Sequence, residues 1–357
     1  MAKKDKPSLN ETVQNAIKGV EKFKKANFLQ GNVKFKPVSW IPFSSAVQDA
    51  LNLPGIPKGF LTLLRGHSDT GKTATMLEIA VSCQKMGILP VIIMTEMKWS
   101  WEHALQMGFQ VEEVKDDKTD EVLDYKGFFI YVDRSSLNSI EDVSSFIANM
   151  LDEQKNGNLS HDLCFLWDSV GSIPCELSIK SNKNSNEWNA GAMSQQFGNF
   201  INQKITLSRK ESQPFTNTLV AVNKVWVARP TMPMEQPRLS NKGGNTMFFD
   251  ASLIITFGKI VSAGTNKINA VKGGKKYEFA KRTRISCDKN HITGVTTMGT
   301  VIMTPHGFIP DDKKSIDDYR NIHSKEWSTA LGSPDFNIEV ETEESGTTDI
   351  YPEDIDG

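Results

Sequence analysis

The sequence predicts an α/β fold in which a central, mostly parallel, twisted sheet is flanked by helices. Three observations carry this expectation. Short apolar runs alternate with stretches of helical periodicity through the middle of the chain, the pattern of strands joined by crossover helices. One run, Phe60-Leu61-Thr62-Leu63-Leu64, leads straight into a glycine-framed loop that opens a helix. Several runs end in polar or acidic residues, at Glu96, Asp168 and Asn223-Lys224. The carboxyl ends of parallel strands are where such sheets bind ligands.

Residues 1–39 read as an N-terminal helix and linker. Residues 1–27 carry seven Lys against three acids, and Val13, Ala16, Ile17, Val20 and Phe23 or Lys24 recur at i, i+3, i+4, i+7. That is one amphipathic helix, too small to fold alone, which must pack on the body or on another subunit. A connector follows over 28–56, with turn signals at Gly31, Pro37, Pro42 and Pro54-Gly55.

Residues 40–310 form the expected core. After the strand at Phe60–Leu64, Ala74 to Met86 places Met76, Ile79, Ala80 and Cys83 at helical spacing. Leu89–Thr95 is a buried strand, and Lys126–Val132 holds a further one. Ser139–Asn156 is a helix, Leu163–Trp167 a strand, 194–209 a helix and Thr218–Val222 a strand. Ser252–Phe257 and Thr283–Ser286 continue the sheet, antiparallel near its end, and Thr300–Met303 is the last strand. Two polar segments interrupt this rhythm and read as long loops: Pro174–Gly191 and Trp226–Asn245.

A short extension, 311–334, precedes an acidic tail, 335–357. The tail holds nine acids and no Lys or Arg, so removing it from a net charge of −2 leaves +7 on residues 1–334. Nine uncompensated carboxylates cannot be buried, so the tail is expected to be disordered. It is either a solvating end or a tethered mimic of phosphates that competes for a basic surface. No run approaches the ~18 apolar residues of a membrane span. Met1-Ala2-Lys3-Lys4-Asp5-Lys6 has no apolar stretch behind it and is not a secretory signal. Four scattered cysteines suit a reducing cytoplasm and make neither a disulfide frame nor a metal site.

Gly66-His67-Ser68-Asp69-Thr70-Gly71-Lys72-Thr73 fits G-x-x-x-x-G-K-[ST], the phosphate-binding loop. The two glycines let backbone N–H groups turn toward phosphate oxygens, and the helix N-terminus adds partial positive charge. Lys72 is expected to reach the β- and γ-phosphates of ATP, and the Thr73 hydroxyl to sit on Mg²⁺. Asp168, closing the apolar run Cys164–Trp167, is the expected Mg²⁺ carboxylate, partly through water. Glu96, at the end of the strand after the loop's helix, is expected to orient the attacking water.

The polar segments carry a second chemistry. Arg229, Arg238 and Lys242 suit phosphate contacts, Gly243-Gly244 lets backbone approach closely, and Trp226, Met232 and Met234 can stack or wedge against bases. Lys267, Lys272, Lys275, Lys276, Lys281, Arg282 and Arg284 form a basic stretch around Gly273-Gly274 that reads as an exposed hairpin. Together they point to nucleic acid.

These motifs resemble those of the RecA-type recombinases, including bacterial RecA and the phage UvsX-like proteins. The resemblance covers about residues 40–310. It rests on Gly55-Ile56-Pro57-Lys58-Gly59 ahead of the loop, Glu96 followed by Gly108, and Asp168-Ser169-Val170. Asn223, Gly243-Gly244-Asn245 with Phe248–Ser252, and Lys289-Asn290 complete it. It implies a RecA-like core acting as a DNA-dependent ATPase, with a helical filament of this chain on single-stranded DNA that pairs with double-stranded DNA. Pro174–Gly191, with Lys180 and Lys183, and Trp226–Asn245 become the two DNA-binding loops. Residues 9–25 pack on a neighbouring subunit, ATP lies between subunits, and Lys289 and His291 reach across to it. His103 falls where the family places an aromatic over the adenine. The cytoplasm of a bacterial or phage-infected cell is the implied location.

The chain also departs from the family pattern. Lys224 stands where the family has a phosphate-sensing Gln, His291 where it has a second lysine, and His67 and Asp69 where its loop has small residues. Two other readings share this core: a ring-forming helicase or motor, and a nucleotide-binding scaffold with little turnover.

Overall fold

The computed structural model of the 357-residue chain describes residues 14–20, 22, 34–183, 185–228, 238–241, 244–258, 267–272 and 275–323. The chain divides into two units, Met1–Pro37 with Lys210–Pro214, and Val38–Arg209 with Phe215–Gly357. In the first, residues 14–20 are helical and exposed, with Ile17 and Val20 open to solvent. Phe35 bridges Lys210 in antiparallel fashion, and Glu211 N donates to Lys34 O at 3.0 Å. The expected helix residues Val13, Phe23 and Lys24 lie outside the described residues, as does the whole acidic tail.

The second unit is built on one large sheet. Its strands are β1 (Leu61–Gly66), β2 (Leu89–Met94), β3 (Ile130–Asp133), β4 (Leu163–Asp168), β5 (Thr218–Ala228), β6 (Arg238–Asn241), β7 (Leu253–Gly258), β8 (Lys267–Lys272), β9 (Lys275–Asn290), β10 (Met298–Thr304) and β11 (Gly307–Pro310). The order is β11-β10-β9-β7-β1-β5-β4-β2-β3, with β6 beside β5 and β8 beside β9. From β7 to β3 every pairing is parallel. Beyond β7 the pairings turn antiparallel, as the sequence led one to expect.

Strands β1, β2 and β4 are buried along their whole length, which is why they read as continuous apolar runs and not as alternating ones. Side-chain alternation splits the core into two layers. Leu64, Ile92, Leu166, Val222 and Ile255 face α1 (Ser45–Leu51) and α2 (Lys72–Lys85). Leu63, Ile93, Trp167, Ala221 and Ile254 face α4 (Ile140–Lys155) and the helices that follow β4. The helix α4 starts at a reciprocal cap: Ser139 Oγ accepts from Asp142 N, and Asp142 Oδ2 from Ser139 N, both at 3.0 Å.

Several expectations need correcting. Pro174–Gly191 is not a loop but largely two short helices, α5 (Glu176–Lys180) and α6 (Asn186–Met193). Its polar residues close it on itself: Asn189 Oδ1 accepts from Cys175 N at 2.8 Å and from Ser178 Oγ at 3.1 Å. The next helix opens as a π-helix over Ser194–Ile201 before α7 (Asn202–Leu207). Lys126–Val132 is two elements. Val122–Lys126 pairs antiparallel with Glu112–Lys115 in a ribbon of its own, and β3 begins at Ile130. Strand β5 runs past Val222 to Ala228 and pairs there with β6, so one flank of the second polar segment is a hairpin arm.

Candidate functional site

The phosphate loop sits between β1 and α2 as its motif requires. Gly66, at φ +150°, has no room for a side chain: a Cβ there would come within 2.2 Å of the Phe257 carbonyl oxygen. Gly71 caps α2, whose first residue is Lys72. His67 is half-buried, Ser68 and Asp69 are exposed, and Thr70 and Lys72 are buried. The loop closes on itself, with Thr70 Oγ1 donating to His67 O at 2.8 Å and Lys72 Nζ donating to the same carbonyl.

Thr73 and Asp168 meet as expected, Thr73 Oγ1 donating to Asp168 Oδ2 at 2.6 Å. They come from the first turn of α2 and the end of β4, which is separated from β1 in the sheet by β5. Beside them, Glu96 accepts from Lys224 Nζ at 2.8 Å through one oxygen and from Ser169 Oγ at 2.5 Å through the other. Lys98 stands 3.5 Å from the Lys224-facing oxygen. Lys224 is level with Gly66 in the β1–β5 register, so the strand order itself delivers it to the loop.

The electrostatics follow from burial and partners. Desolvation pushes the Lys72 ammonium down from 10.5 to about 8, with Lys224 adding to it and Asp168 and Glu96 opposing it. Burial pushes the Asp168 carboxyl up against the Thr73 hydrogen bond. Burial also pushes Glu96 up, but hydrogen bonds from Lys224 and Ser169 outweigh it and hold this acid below the usual carboxylate range. Among the described residues no cluster of three His, Cys, Asp or Glu side chains exists that could cage a metal. One hydroxyl and one carboxylate beside a phosphate loop instead fit Mg²⁺, which takes few protein ligands and completes its shell with water and phosphate oxygens.

His103, on α3 (Trp101–Gln106), lines a cavity of about 340 Å³ with Phe279, Met303, Thr304 and Pro305. Met303 also approaches the Gly71 position, so the cavity opens beside the phosphate loop, where a nucleoside would extend. Burial lowers the His103 imidazole pKa. A flat, mostly neutral ring suits stacking on a base.

Lys289 and His291 stand apart from the loop. Lys289 is paired with Ile254, itself level with Leu63, toward the amino ends of the parallel strands. Its Nζ donates to Phe249 O at 2.7 Å and Phe248 O at 3.3 Å. His291 is exposed, its backbone N bonded to Ser252 O at 2.9 Å.

The two polar segments come together at one point. Gly244, at φ +89°, lies so close to α6 that a Cβ there would come within 2.7 Å of the Ala190 Cβ. Lys180 pairs with Glu176 at 2.6 Å, and Lys183 is exposed just beyond α5. Trp226 and Arg238 lie on the paired backbones of β5 and β6. Arg229, Lys242 and Gly243 are outside the described residues. The basic stretch does form a hairpin, β8 against β9, and three of its cations face carboxylates. Lys267 and Lys281 stand 2.8 and 3.3 Å from Glu278, and Arg282 2.7 Å from Asp311.

Sequence reasoning missed Ser169, which holds Glu96, and the β9–β10 side of the cavity. Ser169 follows directly on Asp168, and that adjacency was the available signal. The cavity wall comes from residues more than two hundred positions beyond the loop and had none.

No protein-family model matches the chain. Part of it is similar to Protein RecA of Thermus thermophilus, 31% identical over 110 residues, which is 30% of this chain and 32% of that protein. Protein RecA of Campylobacter lari is 30% identical over 107 residues, 29% of this chain and 31% of that protein. Protein RecA of Legionella pneumophila is 34% identical over 65 residues, 18% of this chain and 19% of that protein. The chain thus spans a third or less of the length of these curated relatives. These partial similarities indicate a RecA-like relationship at a distant level.

Proposed function

We propose that the chain is an ATP-dependent DNA recombinase. ATP bound between subunits orders a helical filament on single-stranded DNA, the filament pairs that strand with homologous duplex and exchanges strands, and hydrolysis then releases the DNA. The observation that carries this reading is the meeting of Lys72, Thr73, Asp168, Glu96 and Lys224 where β1, β2 and β4 end and β5 runs on beside them. The two candidate DNA segments leave from the ends of β4 and β5, the same strands that carry Asp168 and Lys224.

Thr73, and Asp168 partly through water, would hold Mg²⁺, which would supply positive charge to the phosphate oxygens. Lys72 leaves the His67 carbonyl for the β- and γ-phosphates. Glu96 accepts the proton of the attacking water, and its low pKa keeps it ionised for that task at neutral pH. Lys224 contacts the γ-phosphate as a point charge in place of an amide. Because it also holds Glu96, it connects the phosphate to the base and to the segment that follows β5. His103 covers the base, while Lys289 and His291 reach the nucleotide of the next subunit.

The test is phosphate release with and without single-stranded DNA, followed by electron microscopy of the same mixture. DNA-stimulated release with open helical filaments supports the proposal. Closed rings would point to a motor, and absence of release under both conditions to a scaffold.

A further inference from the structure

Arg65 is the residue just before Gly66. Its guanidinium, 7% exposed, donates from Nε to Thr256 Oγ1 at 2.8 Å and from Nη2 to Asp288 Oδ2 at 2.9 Å. Asp288 is in place because β9 is bulged there. Lys289 pairs with Ile254 and Cys287 with Ile255, leaving Asp288 as the extra residue. The Asp288 carboxylate also accepts from Thr256 Oγ1, and from Ser286 Oγ at 2.5 Å.

The next residue, Lys289, is tied to the carbonyls of Phe248 and Phe249 on α8 (Thr246–Asp250). Arg65 lies 4.8 Å over the Phe248 ring. The connection is therefore closed. Arg65 grips the bulge on one side of Lys289 and packs on the helix that holds the lysine's ammonium on the other. Arg65 is buried and Asp288 stays partly open to solvent, so the pair is held in place by its bonds to Thr256 and Ser286 and by the bulge itself.

We infer that the Arg65–Asp288 pair links each subunit's own phosphate loop to the lysine it presents to its neighbour, and so sets cooperativity between successive ATP sites. This rests on the recombinase reading above, in which Lys289 acts across the interface. Arg65 and Asp288 are positioning residues, since neither reaches the nucleotide. Movement of the Gly66 backbone on phosphate binding is passed to the bulge and to α8, and the two together place Lys289.

The experiment measures the Hill coefficient for ATP in steady-state hydrolysis on single-stranded DNA, alongside ATP affinity of the unassembled chain and melting temperature. The variants are Asp288→Asn, Arg65→Lys and the pair Arg65→Met with Asp288→Leu. Exchanging both charges for apolar groups leaves no orphaned ion but strips the buried Thr256 hydroxyl of its partners, so the pair variant is expected to melt modestly below the parent and well above Arg65→Met alone. In Asp288→Asn and in the pair, the Hill coefficient should fall from above one to about one, with ATP affinity within about twofold of the parent. Arg65→Lys keeps the charge but cannot fork to Thr256 and Asp288 together, and should fall between. A parent Hill coefficient of one, or a pair variant with the parent's cooperativity, overturns the inference. So does cooperativity that disappears only in step with ATP affinity or melting temperature, which is the signature of a structural role. A parent that hydrolyses no ATP on DNA, or is indifferent to Lys289→Ala, fails the recombinase reading itself and takes the inference with it.

Discussion

Lys224 holds Glu96: its ammonium lies 2.8 Å from the carboxylate, whose side chain is only 9% exposed. This cation, on β5 level with Gly66, keeps the acid ionised against the pull of burial. Glu96→Gln keeps the shape and loses the base, so ATP binding should persist while hydrolysis falls by about 100-fold or more. Lys224→Gln removes the main influence that lowers the Glu96 pKa, so the acidic limb of the hydrolysis–pH profile should move to higher pH. A limb that stays in place would mean that Glu96 is not the titrating base.

Lys72, lowered to about 8 mainly by burial, gains a counter-charge when phosphates bind beside it. Binding should therefore take up protons, roughly half a proton per nucleotide near pH 8 and close to none at about pH 6.5, where the ammonium is already charged. Calorimetry in two buffers of different ionisation heat reads this directly. The same shift makes the free chain more stable relative to Lys72→Met as pH rises from about 8 toward 10.5, because the unfolded lysine binds the extra proton there. Lys72→Met should lose both the uptake and tight ATP binding. Uptake that survives in this variant would assign the proton to another group.

Lys289→Ala and His291→Ala should slow turnover while sparing ATP binding by the unassembled chain. Mixing Lys72→Ala with Lys289→Ala protein should restore some activity, because part of the mixed interfaces then hold both groups intact. No recovery despite demonstrated co-assembly would place Lys289 outside the neighbouring site.

Arg229→Ala, Arg238→Ala and Lys242→Ala should each weaken single-stranded DNA binding with little regard to sequence. Each should reduce the salt slope by up to about 0.7 for every phosphate the side chain no longer neutralises. Lys281→Ala should do much less, since its ammonium already faces Glu278 at 3.3 Å. If the ranking is reversed in a salt titration, the β8–β9 hairpin is the DNA surface.

Truncation after Pro334 should tighten DNA binding, more for duplex than for single strands, because it removes nine tethered carboxylates from a body of net charge +7. The gain should shrink as salt rises. A truncated chain that binds both forms no better at low salt would leave the tail a solvating end.

The parallel half of the sheet was legible because burial on both faces writes itself as unbroken apolar runs. The loop was legible because phosphate binding demands glycines and a lysine at fixed spacing. Glu96 and Asp168 showed as acids where such runs stop. The Pro174–Gly191 helices were hidden because their residues satisfy one another locally through Asn189 and Ser178 and leave no apolar stripe. The pairing of Lys267 with Glu278 was hidden too, since cross-strand register alone decides it. Asp288 gave no signal either: a one-residue bulge changes which face a side chain takes without changing composition.

The long strand β9 has a consequence of scale. Thr283 Oγ1 touches the carbonyl of Thr70 in the phosphate loop, and six residues further along the same strand stands Lys289. At ~3.3 Å per residue that is about 20 Å of hydrogen-bonded backbone. If one end serves a subunit's own nucleotide and the other its neighbour's, a single strand acts as the gauge between them. The step from one nucleotide to the next along the polymer is then a covalent length, written in the residue count of one strand, and adding or deleting a pair of residues there should alter it.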